Sequence, residues 1–333
     1  MKTDISIIIV NYNTPIHTSN CLKSIERFQE SFEFTYEILL VDNAPKEDCK
    51  DLFLSCCTTP IQYIKSAQNI GFGPANNLAM ERAKGTYFLL LNSDTLLIDA
   101  SINNAFQYLE DKHQAAVGLL GCRLLNEDLS YQHSYYPYTG NRLWDYFKAN
   151  NPIFSKLFKA ALDFQQKEGI RTVGDVSGAF MLLRKVVFEQ CKGFDPDFFL
   201  YCEETEWCRN RIAKQFSIVY FPDTRIIHLG GKSAPKAAMQ IQSAISEYLF
   251  RYKTGWLPYC TYMLIQTFNL LTQFLLYPFT KSKATISLKF LWKQYHTALY
   301  YAFFEIPKYP KAFAARKKAL YYKKVKSIFF PTL

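Results

Sequence analysis

The sequence predicts an α/β protein with a mostly parallel sheet that helices cover on both faces. Apolar strands alternate with helical segments through the first 120 residues. The strands are nearly continuous apolar runs, as in residues 5–10 and 86–91, which is typical of strands buried on both faces. Several strands end on polar residues, and ligand sites in such folds lie beyond the carboxyl ends of the strands.

Each element follows from the spacing of apolar residues and from local start signals. The predicted strands are Ile5–Val10, Tyr36–Val41, Ile61–Lys65, Thr86–Leu91, Ala115–Leu120 and residues 217–222. The predicted helices are Pro15–Phe28, Lys46–Cys56, Pro74–Ala83 and Ala100–Glu110. Pro15 marks a helix start, with Thr14 as its expected N-cap. Residues 130–154 are rich in Tyr, Asn and Pro and are expected to form a long loop with short helices.

The positive charge of the chain is concentrated in its last part. Residues 281–333 contain twelve Lys or Arg residues and one acidic residue, Glu305, which gives +11. Residues 1–280 therefore carry about −1 of the total charge of +10. A near-neutral body argues against nucleic-acid binding, whereas a basic and aromatic tail suits an anionic lipid surface.

The nine cysteines are expected to be reduced thiols in packing roles. No signal peptide is recognisable in the first thirteen residues, no CxxC occurs, and no spacing suits a zinc site. This pattern is typical of a protein in a reducing compartment.

Four strand ends carry polar side chains that a parallel sheet would bring to one edge. They are Asn11-Tyr12-Asn13, Asp42-Asn43, the segment NIGFGPANN (69–77) and Asn92-Ser93-Asp94. Each alone has a structural interpretation, because Asn and Asp start turns and cap helices. Together they predict a ligand site.

Among these strand-end residues, Asp94 points most specifically to one function. A carboxylate after an apolar strand is placed to hold Mg²⁺ or Mn²⁺, which would bridge phosphates and neutralise charge as a diphosphate departs. The Gly71-Phe72-Gly73 segment resembles part of a dinucleotide fingerprint, but it follows the third strand, and Asn76 occupies the third glycine position. That interpretation is therefore rejected, although the glycines still let the backbone approach a ligand.

The second half of the chain adds acids and a histidine. Glu203, Glu204 and Glu206 fall within four residues, and their repulsion would raise the pKa of at least one, as a general base requires. The alternative is a solvated helix start, where the helix dipole favours acids. His228 ends another strand before two glycines, where a metal ligand and a structural histidine are both conceivable.

Seven motifs, in order along the chain, resemble those of family 2 glycosyltransferases. They are VNYN (10–13), VDNA (41–44), NIGFGPANN (69–77), LLNSDT (90–95), SGAFMLLRK (177–185), GFDPDFFLYCEETEWC (193–208) and IIHLGGKS (226–233). Within that family, the chain is similar to rhamnosyltransferase-like enzymes of bacterial O-antigen and capsule synthesis. The resemblance covers roughly residues 3–250.

The resemblance implies a GT-A fold and an inverting transfer from a nucleotide-sugar. Tyr12 would stack on the base, Asp42 would accept its N3–H, and Gly178 would lie under the sugar. Asp94 and His228 would ligate the metal. The implied nucleotide-sugar contacts are Tyr12, Asn13, Asp42, Asn69, Gly71, Gly73, Asn77, Asn92, Asp94 and Gly178.

Glu204 would be the base that takes the proton of the acceptor hydroxyl. The family often has Glu-Asp at this place, so Glu203 stays open as the alternative base. Trp207 and Glu206 are expected on the acceptor side. The arginine usual after this motif is absent at Asn210.

The predicted donor is dTDP-rhamnose or a UDP-hexose, and the predicted acceptor is a polyprenyl-diphosphate-linked glycan. Two alternatives stay open. One is a degenerate member that acts as a membrane scaffold. The other is a nucleotidyltransferase, although its Gly-rich basic loop should follow the first strand, where residues 11–13 stand.

Residues 255–280 contain no charged residue and are long enough to cross a membrane. One span would put the basic tail outside the cell, against the positive-inside rule. We therefore predict a helix lying in the inner leaflet, with residues 255–326 contacting anionic lipid. Buried core, a homodimer contact and a true span are the alternatives. The predicted domains are residues 1–250 and a helical extension, 251–333, in a cytoplasmic protein peripheral or monotopic on the inner membrane face.

Overall fold

A computed structural model describes residues 3–137, 169–230, 236–280, 292, 296–297 and 299–308. Within these residues the chain forms two compact units. The first consists of residues 3–137 and 169–230, and the second lies within residues 236–308. Most of the loop predicted at 130–154, and the basic stretch 315–326, lie outside the described residues.

The described part of the chain contains strands and helices in the alternating order that the sequence predicts. The strands are β1 (Ile5–Asn11), β2 (Tyr36–Asn43), β3 (Ile61–Ser66), β4 (Tyr87–Asn92), β5 (Thr95–Leu97), β6 (Val117–Leu125), β7 (Tyr131–Gln132), β8 (Tyr135–Tyr136), β9 (Arg171–Thr172), β10 (Asp175–Val176), β11 (Phe180–Arg184) and β12 (Ser217–His228). The α-helices are α1 (Pro15–Phe28), α2 (Lys50–Leu54), α3 (Phe72–Met80), α4 (Ile102–Glu110), α5 (Lys185–Cys191), α6 (Glu203–Glu206), α7 (Lys236–Thr254) and α8 (Trp256–Thr280).

The central sheet has the strand order β3-β2-β1-β4-β11-β6-β12-β5, with β7 beside β6 and β9 beside β12. β3, β2, β1 and β4 are parallel, and β6 is parallel to β12. β11 lies antiparallel between β4 and β6 and joins these two parallel parts. The α/β class is confirmed. The sheet also contains antiparallel strands, such as β11, that the sequence did not predict.

Successive side chains of the central strands enter two separate cores, as the pleat requires. Ile7 and Leu89 face one core, and Ile8 and Leu90 face the other. α1 covers the first core and α3 covers the second. Burial on both faces explains why these strands read as continuous apolar runs.

The strands run further toward their carboxyl ends than the apolar runs indicate. β1 includes Asn11 and β2 includes Asp42, and these two residues are register partners. Helix α1 begins at Pro15 as predicted, but Thr14 makes no capping hydrogen bond. Its hydroxyl lies 3.2 Å from Asn11 Oδ1 instead. Residues 131–136 form two short strands rather than a loop with helices.

The second unit contains α7 and α8, joined at Gly255, together with the described residues near position 300. Tyr259 is fully buried, packs against Tyr248 and Tyr252, and donates a hydrogen bond to the carbonyl of Ala302. Arg251 is buried and pairs with Glu247 one turn earlier, at 2.6 Å.

One face of α8 remains exposed and apolar. It carries Leu257, Leu264, Phe268, Leu271 and Leu275. Their exposed fractions range from 46% to 76%. The spacings of seven, four, three and four residues put these side chains on one stripe of the helix, which we call the α8 stripe. In the part of the chain that the structure describes, no helix combines the length and apolarity needed to cross a bilayer.

Candidate active site

The carboxyl ends of β1 and β2 are tied together by buried polar side chains. Asn11 Nδ2 donates to Asp42 Oδ1 at 2.8 Å, and Tyr63 OH donates to Asp42 Oδ2 at 2.6 Å. Asn11 Oδ1 accepts from Thr18 Oγ1 at 2.8 Å. Burial, followed by the hydrogen bond to Asp42, raises the pKa of Tyr63. Asp42 has no exposed surface, so a nucleobase would reach it only if a neighbour such as Tyr63 moved.

The segment before α3 is held by two asparagines. Asn43 Nδ2 donates to Asn69 Oδ1 at 3.0 Å, and Asn43 Oδ1 accepts from Ile70 N at 2.9 Å. Asn69 Oδ1 also accepts from Gly71 N at 2.9 Å. Gly71 has a φ of 88°, a conformation that glycine adopts without strain. We call Asn11, Asp42, Tyr63, Asn43 and Asn69 the amide network, because each member is hydrogen-bonded to another.

Asn77 and Gly73, both predicted on the nucleotide side, make contacts within the protein. Asn77 Nδ2 donates to the carbonyl of Phe194, and Asn77 Oδ1 accepts from Phe194 N, each at 2.8 Å. A Cβ on Gly193 would come within 2.0 Å of Asn77 Oδ1, and a Cβ on Gly73 within 2.8 Å of Phe194 Cβ. Both glycines therefore allow the 193–194 segment to lie against α3.

Tyr12 and Asn13 follow β1 at the rim of the sheet and are both partly exposed. Asn13 adopts a left-handed conformation, with φ of 53°, and its Oδ1 accepts from the backbone N of Lys46 at 3.2 Å. Tyr12 thus retains ring surface available to a ligand, as the predicted stacking role requires.

Asp94 and His228 meet because β5 and β12 pair in antiparallel register. Thr95 lies opposite His228, and Leu229 N donates to the carbonyl of Asp94 at 2.9 Å. His228 Nε2 lies 3.4 Å from Asp94 Oδ1, longer than an ordinary hydrogen bond. Burial acts to raise the pKa of Asp94, but the nearby His228 ring outweighs burial and holds this pKa below its ordinary value.

The donor atoms of Asp94 and His228 suit a divalent cation with an incomplete protein ligand set. No group of three or more His, Cys, Asp or Glu side chains in the described residues is arranged to hold a metal. Mg²⁺ typically takes one or two carboxylates and completes its shell with water and substrate phosphates. One carboxylate and one imidazole, facing each other at 3.4 Å, fit such an ion.

Glu203 and Glu204 differ in their surroundings. Glu203 is 2% exposed, and its Oε2 has no hydrogen-bond partner among the described residues. Burial, followed by the charge of Glu204, raises the pKa of Glu203 well above its ordinary value. Glu204 is partly exposed. Burial and the two glutamates also raise the pKa of Tyr201 to about 12.

The backbone leading into these glutamates is strained. Tyr201 and Cys202 are consecutive non-glycine residues in the left-handed region, with φ of 70° and 64°. Such conformations cost about 1–3 kcal/mol each and persist where the surrounding structure enforces them, often at active sites. The strained pair turns the chain directly into α6, which begins at Glu203.

Glu204 lies near the end of β4. A Cβ on Gly178 would lie 4.0 Å from Glu204 Cβ and 3.5 Å from the ring of Phe72. The next residue, Ala179, accepts a backbone hydrogen bond from Asn92 N at 3.1 Å. The structure therefore brings Glu204, Gly178 and Asn92 to one part of the sheet edge.

Glu206 and Trp207, both predicted on the acceptor side, are buried. Arg211 Nη2 lies 2.7 Å from Glu206 Oε2, and Arg211 Nη1 donates to the carbonyl of Cys191 at 3.0 Å. Trp207 has no exposed surface and packs against Phe194. Neither side chain offers a surface to an acceptor in this structure.

Two residues near the site, Tyr63 and Gln132, were missed from the sequence. Tyr63 belongs to the amide network, and Gln132 Oε1 lies 2.6 Å from Nδ1 of His228. Asn43, which follows Asp42 at a strand end, was expected near the site and belongs to the same network. Gln132 carried no signal, because its role depends on the pairing of β7 with β6.

Solved structures share the fold of this chain. The mannosyltransferase PcManGT from Pyrobaculum calidifontis, in complex with GDP-Man and Mn2+, is similar with a TM-score of 0.53 and 14% identity, over 92% of this chain and 83% of that chain. S. aureus TarS in complex with UDP-GlcNAc gives a TM-score of 0.50 at 13% identity, over 89% and 79%. These likenesses define the class by fold alone, a GT-A-like α/β protein with a curled, mostly parallel sheet.

A family model described as glycosyl transferase family 2 matches residues 6–191, and the chain belongs to this family. Rhamnosyltransferase WbbL of Escherichia coli is 27% identical over 67% of this chain and 82% of its own length. The hexosyltransferase Agl10 of Haloferax volcanii, named for low-salt glycan biosynthesis, is 25% identical over 75% and 73%. The O-antigen biosynthesis protein RfbC of Myxococcus xanthus is 28% identical over 68% of this chain, which spans only 16% of RfbC. The chain is a glycosyltransferase, as predicted.

Proposed function

We propose that this glycosyltransferase is inverting and metal-dependent, and that it moves a sugar from a nucleotide-sugar to a polyprenyl-diphosphate-linked glycan. The observation that carries the proposal is the Asp94–His228 pair, whose Oδ1 and Nε2 face each other at 3.4 Å at the sheet edge. Asp94 and His228 would hold Mg²⁺ or Mn²⁺. When bound, the ion supplies positive charge beside the departing diphosphate.

Glu204 is the base in this proposal, and Glu203 is its buried neighbour. The acceptor hydroxyl oxygen forms the new bond to the anomeric carbon while the bond to the diphosphate oxygen breaks. The hydroxyl proton passes to Glu204, and the nucleoside diphosphate leaves with the bonding electron pair. Burial raises the pKa of Glu203 well above its ordinary value and so disfavours its charged form. We therefore assign the proton to the partly exposed Glu204.

The donor side is formed by the end of β1 and the start of α3. Tyr12 would stack on the base, since it is partly exposed at the rim. Asp42 would accept the N3–H of uracil or thymine after Tyr63 moves away from its Oδ2. Gly178 lies close to Phe72 and Glu204 and would face the sugar. The names of the relatives favour a rhamnosyl or hexosyl donor.

The donor proposal is tested by calorimetric titration of the full chain with UDP and, separately, with dTDP, each with and without Mn²⁺. Binding that needs Mn²⁺ is the expected result, and preference for dTDP would favour rhamnose as the sugar. Asp94→Asn should abolish the effect of Mn²⁺. Equal binding of a diphosphate with and without Mn²⁺ would overturn the metal-dependent part.

The second unit is proposed to lie on anionic lipid of the inner leaflet. The α8 stripe exposes five large apolar side chains, and the sequence that follows it carries +11. An apolar helical face beside a basic segment is the pattern of an interfacial helix. This placement would bring the enzyme to an acceptor whose lipid anchor stays in the bilayer.

Flotation of the full chain with phosphatidylglycerol-containing vesicles tests this placement. The double variant Leu264→Gln/Leu271→Gln should lose most of the binding. The matched control Leu52→Gln/Ile170→Gln removes exposed apolar residues from the first unit and should float unchanged. If the α8 variant floats normally but changes its oligomeric state, the stripe is a contact between copies of the chain.

A further inference from the structure

Gln132 contacts His228 with both ends of its side-chain amide. Gln132 Nε2 donates to the backbone carbonyl of His228 at 3.1 Å, and Gln132 Oε1 lies 2.6 Å from His228 Nδ1. Gln132 lies on β7, opposite Leu124 of β6. The amide therefore lies between the backbone and the ring of one residue.

The orientation of this amide follows from fixed acceptors. Gln132 Nε2 faces two oxygens, the carbonyl of His228 and Asn126 Oδ1, the latter at 3.0 Å. Asn126 is oriented in turn, because its Nδ2 donates to Ser130 Oγ at 2.9 Å and to the carbonyl of Tyr131 at 3.4 Å. Backbone carbonyls can only accept, so Nε2 must point at them and Oε1 must point at the imidazole.

Because Oε1 can only accept, His228 Nδ1 carries the hydrogen in the neutral ring. The lone pair is then on Nε2, the atom that faces Asp94 Oδ1 at 3.4 Å. Imidazole ligands of metals are commonly fixed in this way by a hydrogen bond from the other ring nitrogen.

We propose that Gln132 is a positioning residue that holds His228 in the Nδ1–H tautomer, so that Nε2 is presented to a divalent cation beside Asp94. This inference rests on the proposed metal-dependent function. Removal of such an outer partner typically costs about 10–100-fold in metal affinity. Gln132 itself touches neither the cation nor the substrate.

The first measurement is Mn²⁺ affinity of the full chain by electron paramagnetic resonance, with saturating nucleoside diphosphate. Gln132→Met keeps the length of the side chain but removes donor and acceptor, and we expect about a 10–100-fold loss. Gln132→Glu keeps the acceptor for Nδ1–H and should bind Mn²⁺ much more tightly than Gln132→Met. Gln62→Met, at an exposed position of β3, is the control and should bind normally.

The second measurement is the tautomer of His228 in metal-free protein, from ¹⁵N shifts of labelled histidine. The chain has five histidines, so His228→Asn assigns the signal by its loss. Nδ1–H in the unaltered protein and a shift toward Nε2–H in Gln132→Met are expected. A neutral His228 ring with hydrogen on Nε2 and none on Nδ1 in the unaltered protein, or equal Mn²⁺ affinity in Gln132→Met, would overturn the role of Gln132. Absence of Mn²⁺ binding in the unaltered protein would instead overturn the metal-dependent function on which the inference rests.

Discussion

The two sides of the sheet edge use similar residue types in opposite ways. In the amide network, Asp42 accepts from Asn11 and from Tyr63, so each oxygen of its buried carboxyl group has a donor. The other group is Asp94, His228, Glu203 and Glu204, which we call the acidic centre, and one carboxyl oxygen and one close pair in it lack an ordinary hydrogen bond. Among the described residues, Glu203 Oε2 is buried without a partner, and Asp94 Oδ1 lies 3.4 Å from His228 Nε2.

This difference shows where the protein tolerates buried polar groups that lower its stability. A buried polar group without a partner costs about 1–3 kcal/mol, so a folded chain keeps few of them. The hydrogen bonding of the amide network is typical of a structural element. The unpaired Glu203 oxygen and the long Asp94–His228 contact in the acidic centre are typical of a site that binds another group. Four predictions test this difference.

The largest effect is expected at Glu204. Glu204→Gln should lower kcat by about 10²–10⁴-fold, because the base that takes the acceptor proton is lost. Nucleotide binding should persist, since Gln has the same shape. Steady-state kinetics with a dTDP- or UDP-sugar and calorimetry of the diphosphate measure the two effects.

Glu203→Gln is the matched control, because Gln resembles the protonated carboxyl that burial favours. It should retain most of kcat. If Glu203→Gln loses activity and Glu204→Gln does not, the roles of the two glutamates are reversed.

The next effect concerns the amide network. Asn11→Ala should lower the free energy of unfolding by about 2–4 kcal/mol, because several hydrogen bonds are lost and the buried carboxyl group of Asp42 keeps one donor fewer. Urea unfolding measures the change. Asn20→Ala, on the exposed face of α1, is the control and should change little. An unchanged free energy of unfolding in Asn11→Ala would contradict the interpretation that this network stabilises the fold.

A smaller effect is expected at Asn77. Asn77→Ala removes both hydrogen bonds to Phe194 and should cost about 1–3 kcal/mol of stability. Affinity for the nucleoside diphosphate should change little once the protein is folded. A large loss of affinity at normal stability would instead support the nucleotide contact that the family resemblance implies.

The smallest effect is the pH dependence that Glu203 adds to stability. Its folded pKa lies above its ordinary value of 4.5, so the folded state holds a proton that the unfolded chain releases. The contribution of Glu203 to the free energy of unfolding is fully present below pH 4.5. It declines as the pH rises toward the folded pKa. The slope is at most about 1.4 kcal/mol per pH unit.

Glu203→Gln removes this slope. The difference in unfolding free energy between the variant and the unaltered chain should therefore grow from pH 4.5 upward, in favour of the variant. Urea unfolding at several pH values measures it. A constant difference would mean that Glu203 is ionised in the folded protein.

The order of strands and helices in the first half was predictable, because strands such as β1 and β4 are apolar on both faces and leave a strong signal. The antiparallel β11 was not predictable, since the sequence of a strand buried on both faces does not encode its direction. The convergence of Asn11 with Asp42 was predicted and is confirmed by their register.

What each polar residue does at the site was less predictable. Asn77 and Gly73 contact Phe194, more than 110 positions away, and nothing in the sequence indicated this. Their contact with a nucleotide stays a prediction. Likewise, Trp207 was predicted on the acceptor side, but its side chain has no exposed surface. Local sequence specifies the residue type at a strand end, whereas its partners depend on tertiary pairing.

The contact between Asn77 and Phe194 also bears on the order of folding. It joins residues 117 positions apart, and contacts of such long separation pay a loop-closure entropy before they contribute stability. β1, β2 and β3 pair through much shorter loops, and β4 pairs with β1 across fewer positions than separate Asn77 from Phe194. We therefore expect β1 to β4 to pair first and the segment that carries both glutamates to dock later. A newly made chain would then acquire Glu204, its proposed base, only after this part of the sheet has formed.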